Sequence, residues 1–378
     1  MANRTAAIRD LATLFPQIEV FEMGKNRAQL ELEPDIAESS RNNYERETKS
    51  AVAERKRQQL LYLSQADVEA VGLSMAEIIT ALERAFREKA EGRVQMPPKP
   101  GIQTRPSAFI HAMLAYIPAL NAAGLKCVAG YPDNGKRGLP YINGLLILND
   151  PETGVPLTVM DCGWITSKRT GAATAVAAKY LARPESESVG ILGCGVQGRG
   201  NLEALNLVFH IKRVRVYDVD PKVREACAAE MSAQLGLDVV AVTNPREAVV
   251  DADIVITAGP ILRVPHATIR PGWLGEGAFA SLVDFDSYWH PDALREADKF
   301  CTDDVPQLEY YRQLGYFQSI PPIHADLGQL IMRRKAGRET ATERTITCNL
   351  GLAIEDVAVG GMIYKRALEN NLGTWVTL

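Results

Sequence analysis

The chain has 378 residues, of which 46% are hydrophobic and 23% charged, so it can bury a sizeable core and is long enough for two domains. A net charge of −4 with scattered Lys and Arg residues excludes a basic surface for nucleic acid and points to a small-molecule partner. No apolar run has the length of a membrane span, and the N-terminus lacks the pattern of a secretory signal. The six cysteines form no CxxC or Cys/His cluster. We therefore expect a cytoplasmic protein with reduced thiols and no metal site.

Residues 1–58 are predicted to be an N-terminal extension. The stretch ESSRNNYERETKSAVAERKRQQ has too few large apolar residues to build a core alone. A partly solvated helix on the surface and a segment with a role in oligomerisation both fit this composition. We assign the extension no chemistry.

Residues 59–183 are predicted to form an α+β domain. The segment LLYLSQADVEAVG predicts a short strand followed by a helix that Ser64 caps, and MAEIITALERAFREKAEG predicts a helix that ends at Gly92. Apolar stretches at FIHAMLAYIP, GLKCVAGY and GLLILND predict strands of one sheet. The helix TGAATAVAAKYLARP closes the domain at Pro184, because proline lacks the amide and restricts the preceding residue.

Residues 184–322 alternate between buried strands and helices. The strands are predicted at SVGILG, RVRVYD, DVVAVT and ADIVITA. Strands of this kind separated by helices indicate a doubly wound parallel sheet of the Rossmann type. The last segment, 323–378, is predicted to be helical, and its amphipathic end EDVAVGGMIYKRALENN is expected to return to the first domain.

A glycine-rich turn follows the first strand of this second domain and opens a helix. Its three glycines suit a tight turn, a close approach of backbone amides to a pyrophosphate, and close packing of helix on strand. The helix N-terminus adds free N–H groups and a dipole that favours an anion. A glycine turn that binds nothing is the alternative. The candidate cofactor-binding residues of the turn are Gly193, Gly195, Val196, Gln197 and Gly198.

Asp218 ends the next strand, about 20 residues beyond the last glycine of the turn, where such folds place the carboxylate that binds an adenosine ribose. A carboxylate there would repel a 2′-phosphate, so the expected cofactor is NAD rather than NADP. Arg213 and Arg215 would weaken that preference if either reached the ribose edge.

The blocks GLKCVAGYPDNGKRGLP, LILNDPETGVPLTVMDCGWITSKRTGAATAVAAKYLA and TERTITCNLGLAIEDVAVGGMIYKRALENNLG stand around the glycine turn in a fixed order. In this order they resemble the ornithine cyclodeaminase and μ-crystallin family. The resemblance covers residues 60–378. It implies a Rossmann-type NAD-binding domain and a domain for substrate binding and dimerisation, the latter formed by residues 59–183 together with 323–378. It also implies a homodimer.

The resemblance places Lys126 and Arg169 in the active site, where the family uses this pair to hold the α-carboxylate of the substrate. Arginine offers a bidentate fork for a carboxylate, and lysine a compact charge that can also move a proton. The alternatives are a surface lysine and a structural ion pair. The family has an arginine after a proline pair near the start of this domain. Here MPPKPG supplies Lys99 as a substrate-binding candidate instead.

The family's catalytic aspartate follows a buried strand, which here is matched by FASLV in GAFASLVDFDSYWHP. The match places Asp286 at the catalytic position and leaves Asp284 as the second candidate, because the glycine expected before the aspartate is absent. A solvated turn carboxylate is the alternative for either residue.

These features predict an NAD-dependent amino acid dehydrogenase or ketimine reductase. Arg169 and Lys126 would anchor the carboxylate so that hydride passes between Cα and nicotinamide, with Asp286 as general base and Lys126 assisting proton movement. The alternatives are a cyclodeaminase of an ornithine-like diamino acid with tightly bound NAD and a non-catalytic, crystallin-like NAD-binding protein. FIHAMLAYIP lacks the glutamate with which the family's cyclising members hold the distal amine, and this argues against ornithine.

Overall fold

The computed structural model describes residues 59–378, and the extension predicted for residues 1–58 lies outside the described residues. Two sheets organise this part of the chain. The strands are β1 (Gln59–Leu63), β2 (Gly101–Arg105), β3 (Ala108–Ile117), β4 (Ala122–Gly130), β5 (Ile142–Asn149), β6 (Pro156–Asp161), β7 (Ser188–Leu192), β8 (Arg213–Tyr217), β9 (Asp238–Ala241), β10 (Ile254–Thr257), β11 (Phe279–Leu282), β12 (Lys299–Thr302), β13 (Ile323–Asp326), β14 (Thr345–Cys348) and β15 (Thr374–Thr377). The α-helices are α1 (Gln65–Ala70), α2 (Met75–Ala90), α3 (Gly163–Leu181), α4 (Val196–Val208), α5 (Pro221–Leu235), α6 (Pro245–Val249), α7 (Pro291–Arg295), α8 (Val305–Gln313), α9 (Leu327–Ile331) and α10 (Ala353–Glu369).

One sheet is parallel and has eight strands in the order β13-β12-β14-β11-β10-β7-β8-β9. The central strands β7, β10, β11, β12 and β14 are buried along their whole length, as expected for a parallel sheet covered on both faces. The chain winds from β7 to one edge and then from β10 toward the other, so the strand order reverses between β7 and β10. Ligands bind at such a reversal in open parallel sheets. The predicted Rossmann-type fold is confirmed.

The other sheet is mostly antiparallel, with the order β15-β1-β6-β5-β4-β3-β2. Met113, Lys126, Leu146 and Met160 are direct cross-strand neighbours on one face, and all four are buried. Helix α10 packs over this face across β3, β4 and β5 and also contacts α2. The period-two alternation of β strands therefore places one lysine among apolar residues beneath a helix.

Helix α3 lies between the two sheets and contacts β5 of one and β11 and β14 of the other. Nearly all of its residues from Arg169 onward are buried. A β-carbon at Gly171 would collide with the carbonyl of Gly200 in α4. The small residues of RTGAATA thus let the two helices approach closely, which no larger side chain would permit.

The predicted strands and helices of residues 59–257 are confirmed, including the Ser64 cap, which accepts from the Asp67 amide. The segment after residue 322 differs from its prediction. It begins with β13 and β14, two more strands of the parallel sheet, and the long helix starts only at Ala353. Both strands have four residues, and their segment lacks the regular alternation of strands and helices that identified the equally short β9 and β10.

Within residues 59–378, no helix is both long and apolar enough to cross a membrane. In the same residues, no group of three or more His, Cys, Asp or Glu side chains is arranged to hold a metal ion.

Candidate active site

Polar side chains gather where the central strands of the parallel sheet end. Asp284 and Asp286 follow β11 and Asp303 follows β12, and the backbone carbonyl of Leu350 follows β14. Because parallel strands all end at the same edge of the sheet, these residues converge. Cys348, the last residue of β14, lies among them: burial raises the pKa of its thiol, and the nearby charges of Asp286, Asp303 and Asp284 raise it further.

The two candidate aspartates have different surroundings. The carboxylate of Asp284 is 1% exposed and accepts hydrogen bonds at both oxygens, from Thr257 Oγ1 at 2.6 Å and from the Gly259 amide at 2.8 Å. Burial raises the pKa of Asp284 to about 7, against the effect of these donors. Asp286 is 5% exposed. Burial raises its pKa too, and backbone amides of Asp286 and Phe317 oppose the shift.

Phe285 separates the two aspartates and has a φ of 63°. A bulky residue in the left-handed region is uncommon and strained, and such strain is often found at functional sites. This backbone ends the alternation of the strand, so the directions of Asp284 and Asp286 do not follow from strand geometry.

The structure brings Lys126 and Arg169 together. Lys126 is 0% exposed, so the alternative of a surface lysine is wrong; its Nζ donates to Asp356 Oδ1 at 2.7 Å. Arg169 donates from Nη1 to Glu355 Oε2 at 2.9 Å, and its Nε lies 3.2 Å from the same Asp356 Oδ1. The two cations therefore share one carboxylate. Arg169 thus forms structural ion pairs, as the alternative interpretation predicted, and it also lies beside Lys126.

Lys99 reaches the same cluster through Gly351. Its Nζ donates to the carbonyls of Leu350 and Gly351, at 2.5 and 3.1 Å. The Gly351 amide donates to Asp303 Oδ2 at 2.7 Å. Gly351 has a φ of 77°, and a β-carbon there would collide with Nη1 of Arg169. Glycine at this position lets all three side chains meet.

Burial sets the charge balance of this cluster. It lowers the pKa of Lys99 to about 8, and the positive charge of Arg169 lowers it further. Burial and Arg169 also lower the pKa of Lys126, although Asp356 opposes them. In the other direction, burial raises the pKa of Glu355 to about 7 and that of Asp303 to about 6. A buried anion that met these cations would stabilise their charged forms.

Glu355, Asp356 and Asp303 were not among the candidates from the sequence. The signal for the first two was available, since AIEDVA places two consecutive carboxylates in an otherwise apolar helix start. Buried acids of this kind need a paired cation, and the chain offered Lys126 and Arg169. Asp303 carried no such signal, because DD at the end of a short strand is equally typical of a solvated turn.

The glycine turn has the geometry that a dinucleotide requires. A β-carbon at Gly193 would lie 2.5 Å from the Ala258 carbonyl oxygen, and Gly193 has a φ of 102°. A β-carbon at Gly198 would collide with the Gly193 carbonyl, so this glycine serves packing. At Gly195, by contrast, a β-carbon would meet no atom within 4 Å. The open space lies at the start of α4, where the free amides and the helix dipole favour a pyrophosphate.

Asp218 lies beside this turn at the end of β8. Its Oδ2 accepts from the Cys194 amide at 2.9 Å and its Oδ1 from the Asp220 amide at 3.0 Å. The guanidinium of Arg215 donates to the Glu247 carbonyl at 3.1 Å, and Arg213 stands at the opposite end of the strand. The carboxylate therefore lies beside the glycine turn, and Arg215 is engaged elsewhere.

Gln197 and Thr166 connect the turn to the charge cluster. Gln197, in the first turn of α4, donates from Nε2 to the Thr166 carbonyl at 3.4 Å. The Thr166 hydroxyl in turn lies 3.3 Å from Lys126 Nζ. Val196, which opens the helix, is 65% exposed. The close packing of α3 on α4 thus brings the glycine turn near the buried cations.

Comparison with known proteins is consistent across sequence and structure. Residues 58–371 match the model of the ornithine cyclodeaminase/mu-crystallin family. The chain is 38% identical to an alanine dehydrogenase of Archaeoglobus fulgidus, over 83% of this chain and 97% of that protein. Its fold resembles that of Thermococcus litoralis Delta(1)-pyrroline-2-carboxylate reductase in complex with NADH and L-proline (TM-score 0.77, 36% identity, 83% and 99% of the two chains). It also resembles an archaeal alanine dehydrogenase dimer with bound NAD (TM-score 0.75, 36% identity, 84% and 99% of the two chains).

Proposed function

We propose a residue-level mechanism on the premise that this chain, which belongs to the ornithine cyclodeaminase/mu-crystallin family, is an NAD-dependent oxidoreductase that interconverts an amino acid and its imine or keto acid. The observation that carries the mechanism is the convergence of three buried cations, Lys99, Lys126 and Arg169, beside the glycine turn and the aspartates after β11. Clustered buried charges with shifted pKa values are typical of functional sites.

Arg169 and Lys126 anchor the α-carboxylate in this mechanism. Glu355 takes Nη1 of Arg169 and Asp356 lies beside Nε, so Nη2 is left to meet the substrate. Asp356 also orients Lys126. A carboxylate held by a guanidinium and an ammonium is fixed in position and plane, and this orients Cα for reaction. Lys99, fixed by the Leu350 and Gly351 carbonyls, adds attraction for the anion.

Asp286 is the proposed general base. Both oxygens of Asp284 already hold Thr257 and Gly259, so that residue ties the segment after β11 to the loop after β10. Burial raises the pKa of Asp286 and so makes its carboxylate a stronger acceptor for a proton from the substrate amine, or from the water that attacks the imine. When bound, NAD supplies the acceptor for the hydride that leaves Cα, and Asp286 takes the proton that leaves nitrogen as the C=N bond forms.

A panel assay tests this function. L-amino acids with NAD, and keto acids paired with ammonia or small amines with NADH, are followed by NADH absorbance. We expect net formation or consumption of NADH with at least one member of the panel. Ammonia release or cyclisation of a diamino acid without net NADH change would instead indicate a cyclodeaminase, and NADH binding without any turnover a non-catalytic protein.

We also propose which part of the chain binds each ligand, and that the chain forms a homodimer. Residues 59–183 with α10 hold the substrate and pair with a second copy, and the parallel sheet holds NAD. The face of the antiparallel sheet opposite Lys126 supports pairing: Leu114, Leu125, Ile147, Val159 and Tyr62 form one cross-strand row on it. Leu114 is 44% and Tyr62 42% exposed, and exposed rows of apolar residues typically mark protein interfaces. The archaeal alanine dehydrogenase with a similar fold is itself a dimer.

A further inference from the structure

A cavity of about 570 Å³ opens beside the buried cations. Lys99 and Phe285, the residue between the two aspartates, both form part of its wall. The cavity thus adjoins the cation cluster at Lys99 and the segment that carries the two aspartates at Phe285. Its size is within the range of pockets that enclose a complete small-molecule ligand. Six aromatic side chains line it, namely Phe109, His111, Phe285, Tyr310, Tyr311 and Tyr316.

These rings contact one another and form a preassembled wall. Phe285 meets Tyr311 and Tyr316 edge to face, with centroids 5.3 and 5.6 Å apart. Tyr311 and Tyr316 meet at 5.7 Å in the same manner. On the other side, Phe109 stacks on His111 at 4.2 Å, and the His111 ring meets the edge of Tyr311 at 6.1 Å. Rings in such arrangements offer both faces and edges to a further ring.

The charged residues that line the cavity favour some substrate side chains over others. No Asp or Glu of the described chain lines the cavity, so the ammonium of a diamino acid would find no counter-charge there. Burial lowers the pKa of His111 to about 3, and Lys99 adds to the effect, so its ring is neutral at physiological pH. Lys99 and, at the rim, Arg263 are the cationic groups; the Arg263 guanidinium donates to the Leu314 carbonyl at 2.8 Å.

We propose that this cavity takes the substrate side chain and that the substrate class is α-amino acids with a large aromatic side chain, together with the corresponding imino or 2-oxo acids. The proposal rests on the proposed function. The reaction is unchanged: Cα loses a hydride and nitrogen a proton, a C=N bond forms, and NAD takes up the two electrons. The methyl group of alanine would leave most of the cavity unfilled, whereas a phenyl ring would meet the walls on several sides.

The first test measures kcat/KM of the unaltered full chain for L-phenylalanine, L-tyrosine, L-alanine and L-glutamate with NAD. We expect the two aromatic substrates to exceed alanine by at least roughly tenfold, the scale of one well-packed aromatic contact. Preference for alanine would overturn the proposal, and preference for glutamate would assign the cavity to a second carboxylate at Lys99 or Arg263. Absence of NADH formation with every amino acid, and of NADH consumption with the matching 2-oxo acids and ammonia, would instead refute the proposed function.

A matched pair of variants then tests the wall itself. Tyr316 is half-buried, and its ring contacts both Phe285 and Tyr311. Tyr316→Ala should raise KM for L-phenylalanine by roughly tenfold, whereas Tyr316→Phe, which keeps the ring, should stay near the unaltered protein. KM for L-alanine and the Kd of NADH should not change in either variant. A parallel rise in the Kd of NADH would show that the cavity holds the cofactor. An unchanged KM for L-phenylalanine in Tyr316→Ala would show that the ring does not contact the substrate.

Discussion

Asp284 and Asp286 are two positions apart, yet only one of them has both oxygens engaged by a side chain and a loop amide. We therefore expect Asp286→Asn to preserve the binding of NADH and of the amino acid while turnover falls by roughly 10²-fold or more, the usual scale for the loss of a general base. Steady-state kcat together with fluorescence titration of NADH measures both quantities.

Asp284→Asn is the matched control. An amide replaces one of the two acceptor oxygens by an NH2 donor, so Thr257 and Gly259 can no longer each donate to an oxygen of its own as they do to the carboxylate. We expect a lower Tm with turnover within several-fold of the unaltered protein, because an unsatisfied buried donor costs about 1–3 kcal/mol. If Asp284→Asn abolished turnover and Asp286→Asn did not, the assignment of the base would be off by two residues.

The pKa shifts of Lys99 and Asp286 predict a bell-shaped pH profile. Burial raises the pKa of Asp286, so kcat/KM for amino acid oxidation should rise with pH as that carboxyl loses its proton. Above a pH of about 8, Lys99 loses its charge and its attraction for the substrate carboxylate, so kcat/KM should fall. Lys99→Arg keeps the charge at alkaline pH. If kcat/KM of Lys99→Arg still fell above a pH of about 8, this would contradict the role given to Lys99.

At the residue scale, the sequence indicated which side chains are special but not how they pair. Lys126 and Arg169 stood out by resemblance and by their place in apolar segments. Their partners Glu355 and Asp356 are separated from them by about 190 to 230 positions in the sequence. A pairing over that separation depends on how α10 packs on the antiparallel sheet, which no local pattern determines. The Gly351 contact with Arg169 could not be predicted for the same reason.

The glycine turn supplies a prediction at the scale of one strand, one turn and one helix. Gly195 has an ordinary φ of −76° and open space beside it, so Gly195→Ala should fold normally. The added methyl group would occupy the approach of the pyrophosphate. We expect an unchanged Tm and a Kd of NADH raised by roughly tenfold, equal to about 1.4 kcal/mol.

Gly198→Ala in the same turn should behave differently. Its β-carbon would collide with the Gly193 carbonyl, so the strand and the helix would have to separate. Overpacking of this kind typically costs about 1–3 kcal/mol, and the Tm should fall along with NADH affinity. Equal Tm values for the two variants, measured by calorimetry without cofactor, would show that the two glycines do not have separate roles.

Elements were predictable from the sequence where their length allowed a period to be read, or where short strands alternated regularly with helices, as the four-residue β9 and β10 do. Helices α2 and α3 and strands β3 to β5 run for eight residues or more, and each was predicted from its apolar spacing. Strands β13 and β14 have four residues each and were missed. They are held by neighbouring strands of a sheet that is buried on both faces, and this tertiary context is absent from a short apolar run.

At the scale of the whole molecule, the apolar row on the outer face of the antiparallel sheet predicts a homodimer. We expect sedimentation of the unaltered full chain at micromolar concentration to show a dimer or a larger assembly. Leu114→Lys or Leu145→Lys should shift it toward monomer, because each side chain is more than 40% exposed on that face and a charge would be costly to bury there.

Leu207→Lys is the control for surface charge as such. Leu207 is 57% exposed on α4, at the parallel sheet rather than on the outer face of the antiparallel one. The Leu207→Lys substitution should leave the sedimentation coefficient of the protein unchanged. The inner face of the antiparallel sheet carries Lys126 beneath α10, so pairing through the outer face would also stiffen the strand that holds this cation of the proposed site. Monomeric Leu114→Lys should therefore retain NADH binding at the separate parallel sheet while its KM for the amino acid rises. A dimer that persists in both Leu114→Lys and Leu145→Lys would place the interface on another surface.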